Sequence, residues 1–266
     1  MSKAIFFDID GTLIDVTKGV THISCRVRES LRKLQKAGHK IFLASGRPYA
    51  FLDAELLDFG FDGYVLNNGA VVAVDGEVIF QEELDRATVE NICKMCEREN
   101  VEYILESHPY VYLRPEFKIF EDFYTSIDIS LDLFVREFNI SDVSTLKMEF
   151  ITRRQDSDEV DGIYNKILKT PGFDGWCDPF HYKNLELYSA KNSKGSGIVK
   201  ALEFLKIDLK DSYAFGDGRN DIEMLQTVGT GLAMGNAADE VKKFADYVVP
   251  SVHEDGVAVG TEKYIL

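Results

Sequence analysis

AIFFDIDGT, residues 4–12, decides how the chain is read. Ala4–Phe7 is an apolar run without a polar break, the pattern of a strand buried on both faces. It ends on a carboxylate, Asp8, followed at once by Asp10, Gly11 and Thr12. The same rhythm repeats outward from this stretch. Val27, Leu31 and Leu34 recur at helical spacing and stop at Gly38; Lys40–Ala44 is a second strand, Tyr49–Phe59 a second helix, and Tyr64–Asn67 a third strand. VVAVDGEVIF, residues 71–80, reads as a hairpin turning at Asp75-Gly76. Near the other end of the chain the alternation returns. A helix carries Ile198, Leu202 and Leu205, and the strand Tyr213–Phe215 comes next. Then come a helix from Asn220, the strand GTGLAM, a helix over Ala238–Phe244 and the strand Tyr247–Val249. Strands alternating with helices predict a parallel sheet covered on both faces.

The middle of the chain differs. It is rich in aromatic residues, carries strand-like runs at Lys147–Ile151 and Leu185–Tyr188, and has two helical patterns near residues 87–98 and 158–168. The expected fold class is therefore α/β: a Rossmann-like parallel-sheet core, residues 1–83 plus 187–266, interrupted by an α+β insertion, residues 84–186.

Composition narrows the function. Over 266 residues, 30 Lys and Arg against 45 Asp and Glu give a net charge of −15. So acidic a surface repels phosphodiester backbones and anionic lipid, and we expect neither a nucleic-acid nor a membrane partner. The apolar run at the N-terminus is too short for a secretory signal, and no segment is long enough to span a bilayer. We expect a cytoplasmic protein, monomeric by default. Cys93 and Cys96 form a C-x-x-C within a helical pattern, with no second pair to complete a zinc site. They read as buried free thiols.

Four segments carry the chemistry: Asp8–Thr12 after the first strand, Ser45–Arg47 after the second, Lys194 at the start of a helix, and Gly216–Asp221 after the strand YAF. In open parallel sheets ligands bind beyond the carboxyl ends of the strands, so these segments can converge. Asp8, Asp10, Asp217 and Asp221 in one crevice would repel one another unless a divalent cation offset their charge. Hard oxygen ligands beside a phosphate point to Mg²⁺. A carboxylate there can attack phosphorus and form an aspartyl-phosphate. Asp10, two residues on, can protonate the leaving alkoxide and later deprotonate water. Lys194, the Ser45 hydroxyl and backbone N–H groups can receive the phosphoryl oxygens.

DIDGTL, LASGR, an isolated Lys and GDGRND, in that order, resemble the four motifs of the haloacid dehalogenase-like phosphohydrolases. The insertion between the second and third resembles the type IIB cap of the Cof-type branch, as does NNGA at Asn67–Ala70. The resemblance implies Asp8 as nucleophile and Asp10 as acid/base. It implies Mg²⁺ held by the Asp8 carboxylate, the Asp10 backbone carbonyl and Asp217, with Asp221 supporting the metal's waters or Lys194. Ile9, Ser45, Gly46, Lys194 and Asn220 would contact the phosphate, and the cap would close over the crevice. Ser45 stands where many relatives carry Thr, which keeps the hydroxyl. The substrate implied is a small phosphorylated metabolite, a sugar phosphate or a phosphorylated cofactor. A sugar phosphomutase and a non-catalytic phosphate-sensing module are the competing functions.

Other features are weaker. Arg47 is equally a surface charge or a substrate contact, and Arg114 and Lys183 are further cations able to grip a second anionic group. His181 is a candidate only by its place near the end of the insertion. Residues 229–235, GTGLAMG, nearly imitate a dinucleotide fingerprint, but Met234 fills the third Gly position, so a strand with tight ends is expected. The remaining histidines show no ligand spacing.

Overall fold

The computed structural model describes residues 2–152, 157–177 and 184–266. His181 and Lys183 lie outside the described residues. The chain divides into two units. One comprises the chain up to Gly46, Asp53–Phe80 and Ser193–Leu266; the other comprises Arg47–Leu52 and Gln81–Asn192.

The first unit is built on an eight-stranded sheet. Its chain order begins with β1 (Ala4–Phe7), α1 (Cys25–Lys36), β2 (Lys40–Ala44), α2 (Ala54–Asp58), β3 (Gly63–Leu66), β4 (Val71–Val74) and β5 (Glu77–Gln81). All four β1 residues are fully buried, as an apolar run under two helical layers requires. The β4–β5 turn places Asp75 and Gly76 at φ of 49° and 83°, the paired left-handed geometry that favours this dipeptide.

The second unit carries α3 (Arg86–Glu99), β6 (Glu102–Glu106), β7 (Val111–Tyr112), α4 (Lys118–Ser126), β8 (Phe134–Val135), β9 (Lys147–Ile151), α5 (Ser157–Leu168), β10 (Phe173–Cys177) and β11 (Leu185–Ser189). Its six-stranded sheet runs β10-β11-β9-β6-β7-β8, and its pairings are antiparallel apart from β7 with β8. One core cluster joins α3 and α5 to the strands through Val89, Ile92, Tyr103, Phe150, Val160 and Leu187. A second gathers Ile104, Phe120, Tyr124 and Phe134. Cys93 and Cys96 are free and fully buried in the first cluster, and burial pushes the Cys93 thiol up to about 12. The pair is packing material, not a reactive site.

The first unit then resumes with α6 (Lys194–Leu205), β12 (Ser212–Gly216), α7 (Ile222–Thr227), β13 (Thr230–Ala233), α8 (Asp239–Lys242), β14 (Tyr247–Val248) and α9 (Gly256–Tyr264). Its sheet order is β14-β13-β12-β1-β2-β3-β4-β5, parallel from β14 through β3 and antiparallel between β3 and β4. From β1 the chain moves to β2 on one side, while β12, β13 and β14 build out on the other. The strand order reverses there, and such a reversal opens a crevice at the carboxyl ends. Phe6, Phe42, Val72, Ile198, Leu202 and Leu225 form a core cluster of this unit. The architecture is thus a Rossmann-like parallel-sheet core carrying an inserted α+β unit.

One expected element is broken. The spacing over Tyr49–Phe59 predicts a single helix, yet the chain forms a short 3-10 turn at Tyr49–Phe51, extends at Leu52 (ψ 123°), and starts α2 afresh. The Asp53 carboxylate accepts the Leu56 N–H at 2.9 Å and caps the new helix. Phe51 meanwhile packs its ring 5.3 Å from Tyr124 and 5.5 Å from Phe134, within the second unit. Aromatic burial outweighs local helical periodicity here.

Candidate active site

Register brings the first two acidic segments together. Phe7 pairs with Phe215, and the Asp8 N–H donates to the Phe215 carbonyl at 3.0 Å, so Asp8 leaves β1 beside the segment after β12. The Ile9 carbonyl accepts the N–H groups of Leu13 and Ile14 at 2.9 and 3.0 Å, folding the chain back tightly. That turn sets Gly11 at φ +82°, and a Cβ there would lie 2.1 Å from Asp217 Oδ2. Only glycine permits this approach.

Lys194 enters from a different element. Ser193 caps α6 in a box with Ser196, and Lys194 occupies the first helical position. The helix dipole disfavours a cation there. Two carboxylates offset that: Lys194 Nζ donates to Asp8 Oδ1 and Asp221 Oδ1, each at 2.6 Å. The lysine is 1% exposed, and Asp221 is fully buried. Burial works against its charge, but Asp221 and Asp8 more than reverse this and hold its ammonium protonated.

Asp221 spends its other oxygen inside the loop, where Oδ2 accepts the Asp217 and Gly218 N–H groups at 2.8 Å each. The residue therefore ties the 217–221 turn to Lys194. Asp8, Asp217 and Asp221 each present an oxygen within 4.8 Å of the others. Burial first, and then the Asp221 carboxylate, push Asp8 well above the usual carboxylate range, while Lys194 pulls the other way. Burial and Asp221 likewise push Asp217 up to about 7. Three carboxylates against one ammonium leave a surplus of negative charge, and the hard-oxygen set with its close glycine wall fits a divalent cation.

Ser45, Gly46 and Asn220 follow strands of the same sheet. Ser45 comes directly after β2, is 2% exposed, and donates its N–H to the Val65 carbonyl at 2.8 Å. Asn220 is exposed and donates from Nδ2 to Asn68 Oδ1 at 3.2 Å. A Cβ at Gly46 would meet that same Asn68 oxygen at 3.0 Å, so Ser45, Gly46, Asn68 and Asn220 form one neighbourhood. Asp10 is exposed and stands outside the carboxylate triad. It lines a cavity of about 270 Å³ with Gly11, Asp15, Lys18, Asp217 and Asn236. Arg47 belongs to the second unit and donates to the Phe51 carbonyl at 3.2 Å. Arg114 is also there, its guanidinium over the Phe138 ring.

Sequence reasoning gave Thr12 no role of its own and missed Asn236. Thr12 Oγ1 donates to Asp217 Oδ1 at 3.1 Å, and Asn236 Nδ2 donates to Asp217 Oδ2 at the same distance. Asn236 lies just past β13 on the same sheet edge, so the strand-end rule applied to one more strand would have found it.

No helix among the described residues is long and apolar enough to cross a membrane. A family model for haloacid dehalogenase-like hydrolases matches residues 5–260. The YkrA protein of Bacillus subtilis strain 168 is 32% identical, over 98% of this chain and 97% of its own. A phosphoglycolate phosphatase of Methanopyrus kandleri is 29% identical, over 100% and 98%. A solved structure described as a sugar phosphatase of haloacid dehalogenase subclass IIB is 30% identical, covers 99% of each chain and superposes with a TM-score of 0.82. With the strand-end carboxylates and buried lysine in place, the chain belongs to the haloacid dehalogenase-like hydrolases, as a phosphoric monoester hydrolase of that family.

Proposed function

We propose that the protein is a Mg²⁺-dependent phosphatase that hydrolyses phosphomonoesters of small metabolites through an aspartyl-phosphate on Asp8. The observation that carries this is Lys194 bridging Asp8 and Asp221 at 2.6 Å, beside Asp217, at the strand-order reversal. An Asp8 oxygen attacks phosphorus as the ester P–O bond breaks, and Asp10 gives its proton to the departing alkoxide. Water then attacks the phosphoryl group and passes a proton to Asp10, releasing inorganic phosphate and restoring Asp8. Lys194 holds Asp8 in place and, with Ser45, the backbone around Ile9 and Gly46, and Asn220, receives the phosphoryl oxygens.

The Asp8 carboxylate, the Asp10 backbone carbonyl and Asp217 would hold Mg²⁺, with Asp221 supporting Lys194. The bound ion supplies positive charge that keeps the carboxylates ionised and draws in the phosphoryl oxygens. The relatives support a small substrate: a phosphoglycolate phosphatase and a sugar phosphatase resemble the chain about equally. Arg47 is the candidate cation for a second polar group of the substrate.

Replacing Asp8 with Asn preserves shape and removes the nucleophile. Turnover of p-nitrophenyl phosphate should fall at least about a thousandfold with the circular dichroism spectrum unchanged. Undiminished turnover would refute the assignment. A panel of metabolite phosphates, assayed with and without Mg²⁺ and compared by kcat/KM, identifies the leaving group.

A further inference from the structure

The segment GTGLAMG and the residue after it have no role in the chemistry above, yet Asn236 is engaged at both ends of its amide. Nδ2 donates to the Gly11 carbonyl at 2.9 Å and to Asp217 Oδ2 at 3.1 Å. Oδ1 accepts the Val252 N–H at 3.0 Å. A backbone donor on one side and a backbone acceptor on the other fix which end of the amide is nitrogen. The second Asp217 oxygen is held separately, by Thr12 Oγ1 at 3.1 Å. Gly11 closes the remaining side, since even a methyl group there would collide with the carboxylate.

Asp217 sits on a loop and is only partly buried. Unheld, its carboxylate would turn about two side-chain torsions, and a cation ligand that turns loses affinity. Each held oxygen still has a second lone pair for a cation. We propose that Asn236, together with Thr12, is a positioning clamp that fixes the Asp217 carboxylate in the orientation needed to ligate Mg²⁺. This rests on the reading of Asp217 as a metal ligand. Through Gly11 the clamp also ties the turn after β1 to the segments after β12 and β13, so that side of the site is set by one side chain.

The test is calorimetric titration of the purified full chain with MgCl₂, alongside p-nitrophenyl phosphate kinetics at saturating Mg²⁺. Asn236→Ala and Thr12→Val should each raise the Mg²⁺ Kd about tenfold. KM for the ester at saturating Mg²⁺ should stay within about twofold, and added Mg²⁺ should restore most of kcat. General loosening of the fold would instead change KM and leave kcat low at any Mg²⁺ concentration. If Asn236→Ala does not fold, Asn236→Ser, which is too short to reach Asp217, takes its place. A Kd equal to wild type in folded variants overturns the clamp. If the wild-type chain itself gives no Mg²⁺ binding, the metal reading beneath it falls, and the clamp falls with it.

Discussion

Burial, and then the neighbouring Asp221 carboxylate, push Asp217 up to about 7, so below neutrality the metal-free site carries a proton that a cation must expel. This sets the sign of the pH dependence. Mg²⁺ affinity should fall as pH drops below 7, with protons released as the ion binds, since Asp217 and the likewise raised Asp8 must both give theirs up. Calorimetry in buffers of differing ionisation enthalpy measures this, and Asp217→Asn should reduce the slope by the share that Asp217 contributes. Stability runs the other way in the metal-free protein. A carboxyl whose folded value is raised stabilises the fold fully only below the ordinary carboxylate range, and that contribution is lost as pH rises toward 7. At this scale much was legible. Asp8, Ser45, Lys194, Asp217 and Asp221 can be picked from the sequence because strand ends and short Asp/Gly motifs are local features. Asn236 was overlooked although it follows a strand end, because a lone amide there does not stand out as the short acidic motifs do.

Elements set the spacing of these groups, and one contact shows how tightly. Gly69 sits at φ +91° in the turn after Asn67 and Asn68, and a Cβ there would lie 2.0 Å from the Ser193 carbonyl, at the cap of α6. Gly76 has a similar φ of +83° but nothing within 4 Å. Gly69→Ala should therefore destabilise the protein by at least about 2 kcal/mol and reduce kcat by shifting Lys194, whereas Gly76→Ala should cost about 1 kcal/mol from the left-handed backbone alone. Urea unfolding of both variants separates the contact from the strain. Strands and helices were mostly readable from periodicity. One expected helix is interrupted at Leu52, where Phe51 leaves the local pattern to pack against Tyr124 and Phe134, and α4, α9 and the strands β6, β7, β8 and β10 had no reading in the sequence.

On the scale of the whole molecule, each unit has a core of its own, so weakening one should divide the melting transition. Lys147 is buried in the second unit among Glu106 and Glu149, each at 3.1 Å, and Glu186 at 3.5 Å. Burial pushes Glu106 well up, while Lys147 and hydrogen bonds overcome burial to hold Glu149 at about 2. Lys147→Met removes the ammonium that these carboxylates share and should cost on the order of 3 kcal/mol in the second unit. Scanning calorimetry should then show a separate, earlier transition, with Mg²⁺ still raising the later one. A single unsplit transition would show that the two units melt together. By itself the sequence determined the α/β class, most of the alternating elements of the first unit and the identity of the strand-end carboxylates, since apolar runs, helical spacing and turn residues act over a few neighbours. Only the tertiary structure decided that Lys194 reaches Asp8 across 186 residues, that Asp221 anchors that lysine, and that Asn236 grips Asp217. Those contacts depend on which strands pair and in what register, and pairing is fixed by burial of the whole sheet rather than by any single segment.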